Sequence, residues 1–184
     1  MAMTQDDKNK WLIAAAVRRL LYKMPLQKIK VEDIMNESGM ALQVFYRCFK
    51  DKNDVVQFCF RETNDQTMTM LGDGADWKTA VCGKLTEMAG RKAEFQEVFG
   101  VFDFRAHLRP EVDVSIALYK KIFEKIEHRK ADNDMSFLIG VFSNGAVSMC
   151  AEWIASGMME SPEHLTDLLA ESMPVKLKEM LKIR

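Results

Sequence analysis

Catalysis would have to begin at three histidines, four cysteines and the acids around them, and in this 184-residue chain they do not converge. His107, His128 and His164 stand far apart, with no H-E-x-x-H pair to hold a zinc-bound water and no other convergent acid and base. Cys48, Cys59, Cys82 and Cys150 form no C-x-x-C pair, which fits reduced, buried thiols better than disulfides or a zinc site. Gly83-Lys84 lacks the upstream glycine and the following Ser or Thr of a phosphate loop, and Gly72-x-Gly74 follows a helical pattern instead of a strand. The expectation is a protein that is not an enzyme, with no cofactor and no metal.

The chemistry the sequence does suggest is recognition. In the stretch GMALQVFYRCFKDK, residues 39–52, Gln43 can pair with N6 and N7 of an adenine, while Leu42 and Val44 can only make apolar contact, for example with a thymine methyl. Lys28, Lys30 and Arg47 lie close by in sequence. Charge is divided unevenly along the chain: up to Arg61 there are 11 Lys and Arg against 7 Asp and Glu, and beyond it 15 against 20. A basic head on an acidic body favours a polyanion at one end only, although a run of charge on a helical domain can equally be a solvated face.

The elements that position these residues read as helices. Ile13, Ala16, Val17, Leu20 and Leu21 follow the spacing of one buried stripe, preceded by Thr4 and Asp7 as a capping box, and Pro25 ends that first helix. Val31, Ile34 and Met35 form the inner face of a short second helix with acids in its first turn, which Gly39 stops as a left-handed cap. A third helix over about residues 42–48 sets Phe45 and Phe49 on one side and leaves Leu42, Gln43, Val44 and Arg47 outward or along the rim. Helix, glycine-centred turn and helix make a helix-turn-helix. Asp51 can cap a longer fourth helix, which reaches toward Met70 before a joint at Gly72-Asp73-Gly74.

Beyond the joint the spacing predicts helices near 76–90, 93–107, 111–129, 134–158 and 162–183, with breaks at Gly90, Arg109-Pro110, 130–133 and Glu160-Ser161-Pro162, and a kink or stop at Pro174. The fold class is therefore all-α: a three-helix head, residues 1–60, joined by a long fourth helix to a helical body, residues 61–184. No uninterrupted apolar run approaches the roughly 18 residues that a membrane span requires, and no export signal stands at the N-terminus, so a cytoplasmic protein is expected.

The last two helices carry much apolar surface, with Gly140, Gly145 and Ala146 allowing close approach. That surface is either the core of the body or the interface of a dimer built as a four-helix bundle. The body also gathers Phe99, Phe102, His107, Tyr119, Phe123, Phe142, Asn144, Met149 and Trp153, an apolar set with few polar atoms, as ligand pockets have; such a stripe is also what a plain core looks like. Within that set His107 and Asn144 are the candidate orienting groups.

Three segments together resemble the head of the tetracycline-repressor-like (TetR) family of bacterial regulators: Ile13-x-x-Ala16-Val17-x-x-Leu20-Leu21, Val31-x-Asp33-Ile34-x-x-x-Ser38-Gly39-Met40, and Phe45-Tyr46-x-x-Phe49-x-x-Lys52-x-Asp54-Val55. Lys23-Met24-Pro25 followed by Lys28-Ile29 is similar to the subgroup that regulates dihydroxyacetone kinase genes. The resemblance implies a homodimer joined through its last two helices, two heads on a palindromic operator, and a body that holds a small-molecule effector. It places Leu42, Gln43 and Val44 at base edges, Tyr46 and Lys52 at phosphates, and Phe45 and Phe49 in the core. Lys30 stands where a threonine is usual, Ala41 where a serine is usual and Cys48 where a histidine is usual, so Lys28, Lys30 and Arg47 are expected to supply charge in place of directed hydrogen bonds. Two functions follow as expectations: a repressor released by its effector, or a regulator-like adaptor that has lost specific DNA binding and acts through a protein partner.

Overall fold

A computed structural model describes residues 3–72, 74–92, 95–96 and 104–183. The chain is all-α and divides into two compact units, one of residues 1–64 with 93–101 and one of residues 65–92 with 102–184.

In the first unit α1 (Gln5–Leu21) opens with the expected capping box: Thr4 Oγ1 accepts from Asp7 N at 3.1 Å, and Asp7 Oδ2 accepts from Thr4 N at 3.0 Å. A single 3-10 turn (Leu26–Lys28) leads to α2 (Val31–Ser38), whose first turn is tied by a bond from Lys30 N to Asp33 Oδ2 at 2.9 Å. Gly39, at φ 70°, makes the left-handed stop that a side chain would resist. Then come α3 (Leu42–Cys48) and α4 (Lys52–Gly72), which belongs to this unit up to residue 64 and to the second unit beyond it; Asp51 caps α4, its Oδ1 accepting from Asn53 N and Asp54 N at 2.8 and 3.0 Å. The α1 stripe of Ile13, Ala16, Val17 and Leu20 packs on Ile34, Phe45, Phe49 and Val55 in one core. Aromatic edges close it, with Phe49 against Phe58 at 5.6 Å and Trp11 against Phe58 at 5.4 Å between centroids.

The second unit holds α5 (Trp77–Gly90), α6 (Phe104–Glu127), α7 (Asn133–Ala155), α8 (Pro162–Ser172) and α9 (Val175–Met180). There α5 packs on α8, and α7 packs on α6 and α9. Asp76, Asp132 and Ser161 cap α5, α7 and α8 with side-chain acceptors, as those residue types do at a helix start.

Two boundaries differ from expectation. The break at Arg109-Pro110 is absent, because α6 runs through Pro110. A mid-helix proline costs about 3 kcal/mol, which burial of Val112, Tyr119 and Phe123 on the same helix offsets. Helix α7 ends at Ala155, short of residue 158, since Gly157 and Met158 turn left-handed at φ 96° and 50° and Trp153 Nε1 donates back to Glu160 O at 2.9 Å. The helical stretch expected at 162–183, with a kink or stop at Pro174, is two helices, α8 and α9, divided there as expected. Of the helix expected at 93–107, residues 93–94 and 97–103 lie outside the described residues, and residues 104–107 belong to α6.

Helix α7 shows what a count of uninterrupted apolar runs leaves out. With 23 residues and a mean hydropathy of 1.4 in its most apolar window, it is long and apolar enough to cross a membrane by length and composition. Ser136, Ser143, Asn144 and Ser148 interrupt the run, so counting consecutive apolar residues missed it.

Among the described residues, the interior of the second unit holds a buried polar bond between two aromatic side chains. Trp77 Nε1 donates to Tyr119 Oη at 2.8 Å, and Phe142 stands edge-on to Tyr119 at 5.5 Å. Burial pushes the Tyr119 phenol far above its ordinary range, against the opposing effect of the Trp77 bond, so the group stays neutral. Replacing Tyr119 by Phe strands the indole N–H and is expected to cost about 1–3 kcal/mol of stability. Urea unfolding followed by tryptophan fluorescence measures it, and a loss below a few tenths of that would show that the bond does not matter.

Candidate nucleic-acid interface

Helix α3 has seven residues, too few to hold itself in water, so its position comes from what it buries. Phe45 is fully buried and Phe49 nearly so, at 0 and 4% exposure. Their rings lie 6.0 Å apart and pin the helix to the α1 core from below. The opposite side presents Leu42, Gln43 and Tyr46, all exposed and sharing one face by their spacing. Tyr46 stacks its edge on Phe45 at 5.4 Å, which holds the ring and leaves 59% of the residue in solvent. Val44, expected beside Gln43 at base edges, is half-buried and packs against the core.

Helix α3 starts without a side-chain cap. Ala41 sits at the N-cap in extended backbone, φ −74° and ψ 146°, the conformation in which a serine hydroxyl would accept from the first-turn amides. Cys48 is half-buried against the same core, and burial first, then the Asp6 carboxylate, pushes its thiol above the ordinary value, so it is a neutral filler with no charge for a phosphate.

The cations divide into two kinds. Lys28 and Lys30 are exposed. Arg47 donates through Nε to Asp6 Oδ1 at 2.9 Å, linking the end of α3 to the first turn of α1. Lys52 turns its ammonium onto three backbone carbonyls, Leu26 O at 2.7 Å, Gln27 O at 3.1 Å and Ile29 O at 2.8 Å. Sequence reasoning placed Lys52 by its position alone and had no signal for these acceptors.

Arg19 and Lys23 converge on Glu37 at 2.6 and 3.1 Å and clasp α1 to the end of α2. The Arg19 bond, then the Lys23 bond, holds the Glu37 carboxyl below its ordinary value of 4.5. A carboxyl lowered in the folded state stabilises above its unfolded pKa and loses that contribution as pH falls through the folded value.

The residues expected to line a ligand pocket separate. Phe99 and Phe102, and the side chain of His107, lie outside what the structure describes. Tyr119, Phe123, Phe142 and Trp153 are buried, and Phe123 carries the Arg129 guanidinium over its ring at 5.1 Å. Asn144 and Met149 are exposed; Asn144 Nδ2 donates to Gly140 O of its own helix at 2.8 Å. Sequence reasoning missed buried and half-buried polar groups near them. Ser115 Oγ donates to Ser143 Oγ at 3.1 Å between α6 and α7, and Lys84 stands on the inner stripe of α5 with Trp77, Ala80 and Met88. Burial pushes the Lys84 amine down, opposed by Cys150 and Glu111, and pushes the Cys150 thiol up. A charged residue in register with a buried stripe is the signal that a polarity scan of α5 would have found.

Residues 112–174 match the TetR family described as a transcriptional regulator C-terminal region. The solved structure of the dihydroxyacetone kinase operon activator DhaS aligns with a TM-score of 0.68 and 19% identity, over 95% of this chain and 97% of that one. NalD, the secondary repressor of the MexAB-OprM multidrug efflux pump in Pseudomonas aeruginosa, aligns with a TM-score of 0.56 and 14% identity, over 92% of this chain and 96% of that one. No curated protein matches the sequence. The fold is that of TetR-like regulators.

Two outcomes follow from the head. Ala41→Ser restores the missing acceptor and is expected to raise head stability by about 0.5–2 kcal/mol, read as slower amide exchange in α3; no change would mean that the cap is supplied otherwise. Glu37→Gln is expected to destabilise the head at neutral pH, with the gap to the parent closing as pH falls below 4.5. Thermal unfolding from pH 7 to 3 follows it, and a gap constant across that range refutes the clasp.

Proposed function

We propose that this TetR-like chain is a dimeric, DNA-binding transcriptional regulator of the cytoplasm, a repressor released by a small-molecule effector. The observation that carries the reading is α3: a helix too short to stand alone, held by Phe45 and Phe49 so that Leu42, Gln43 and Tyr46 face outward after a Gly39 turn. A rigid short helix with an adenine-pairing glutamine beside an apolar contact fits the major groove. In this reading Gln43 and Leu42 read an A·T-containing half-site, and Val44 supports them from the rim. Tyr46, Lys28 and Lys30 reach phosphates, and the Ala41 amide end lies against the backbone.

Dimerisation through the last helices is supported by apolar side chains left in solvent there. Phe137, Val141 and Met149 on α7 are 70, 54 and 51% exposed, and Leu168 on α8 and Val175 on α9 are 44 and 69% exposed. Large apolar side chains exposed together are uncommon on a soluble monomer, and only 33% of the apolar window of α7 is buried within the chain. An open groove of about 410 Å³ beside it is lined by Asp134, Phe137, Leu138, Pro174, Val175 and Lys176. The buried Trp77, Tyr119 and Ser143, with the half-buried Ser115 and Lys84, are the polar groups that an effector in the body would meet.

The adaptor reading draws on a different observation: Ala41 offers no cap, Cys48 is neutral, and Arg47 and Lys52 are engaged within the head. Band shifts with DNA upstream of the gene, at low and physiological salt, separate the two. The regulator reading expects a selective shift, and Gln43→Ala is expected to lose about 1–3 kcal/mol of discrimination at a single A·T position. A folded dimer with no selective shift at low salt would leave the adaptor.

A further inference from the structure

The resemblance assigns Lys52 to a phosphate, and the structure gives its ammonium other work. An ammonium has three N–H donors, and here three backbone carbonyls at 2.7, 3.1 and 2.8 Å take them. The acceptors belong to the 3-10 turn and its exit, Leu26, Gln27 and Ile29, where carbonyls point out of the last turn as at any helix end. Their backbone is fixed from the other side, since Leu26 and Ile29 are each 1% exposed in the core. Lys52 is also the first residue of α4, where the helix dipole disfavours a cation. The local helix therefore does not explain a lysine at this position, and the carbonyl cluster does.

We propose that Lys52 is a positioning residue and not a phosphate ligand: it staples the turn between α1 and α2 to the first turn of α4, so that α2 and α3 are presented to DNA together with α4. To reach a phosphate, Nζ would have to exchange three hydrogen bonds for one ion pair, while Lys28 and Lys30 are exposed and need give up nothing of the kind. Any displacement of α4 then carries the turn and α2 with it. The proposal rests on the reading of α3 as the DNA-facing helix, and its test separates the two.

The test uses the full chain with Lys52→Gln and Lys52→Arg. In the free protein, the amides of Lys28 and Ile29, bonded to Pro25 O and Leu26 O, are expected to exchange roughly tenfold faster in both variants. Arginine fails like glutamine because a planar fork does not reproduce three converging donors. On operator DNA both variants are expected to lose affinity by about tenfold while the slope of log K against log salt stays as in the parent, since no phosphate contact is lost. A slope flattened by about 0.9 per head in Lys52→Gln and restored in Lys52→Arg would make Lys52 a phosphate ligand and overturn the proposal. Unchanged exchange at Lys28 and Ile29 also overturns it. If the parent shifts no DNA, the DNA reading falls, and the exchange data alone decide the staple.

Discussion

Everything outward-facing on the head depends on two phenylalanines facing inward. An isolated helix of seven residues is unstable in water, because nucleation fixes several dihedrals for each hydrogen bond gained. Burying Phe45 and Phe49 against α1 supplies the missing free energy, on the order of 2–3 kcal/mol for each aromatic ring taken out of solvent. Once those rings are seated, the 3.6-residue period leaves no freedom in where Leu42, Gln43 and Tyr46 point. The exposed tyrosine is held too, by its edge contact with Phe45.

Around that anchor, the head connects its elements with charge. Asp6 takes Arg47, Glu37 takes Arg19 and Lys23, and the carbonyls of the α1–α2 turn take Lys52. Each of these ties two helices or a helix and a turn. Exposed pairs of this sort contribute little to stability singly, and their effect here is geometric: they define the angle at which one short helix meets another. The net positive charge of the first third is thus partly structural, and a count of lysines and arginines overstates what remains for a polyanion.

The second unit shows the complementary problem. Helix α7 is apolar enough to resemble a membrane span, yet it carries serines, an asparagine and glycines and packs on α6 and α9. Phe142, Trp153 and Ile154 of this helix are buried, while Phe137, Val141 and Met149 remain in solvent.

Much of the fold was legible in the sequence where the cause is local. Thr4 and Asp7, Gly39, Asp51, Ser161 with Pro162, and the split at Pro174 act within one turn of their own position, so residue type alone reveals them. The inward stripe of α1 and the pair Phe45 and Phe49 follow from periodicity, because burial repeats with the helix. Pro110 defeated the same logic, since its local penalty is outweighed by burial that only packing creates. The candidate site was legible by halves. Sequence identified which residues stand on α3, but not that Val44 leans into the core, that Arg47 is held by an acid 41 residues away, or that Lys52 meets carbonyls 23 to 26 residues before it. Caps, breaks and stripes are properties of neighbours along the chain, and the sequence determined them by itself. Which cations are engaged and which apolar faces remain open depends on groups brought together from distant positions, and only the tertiary structure decided that.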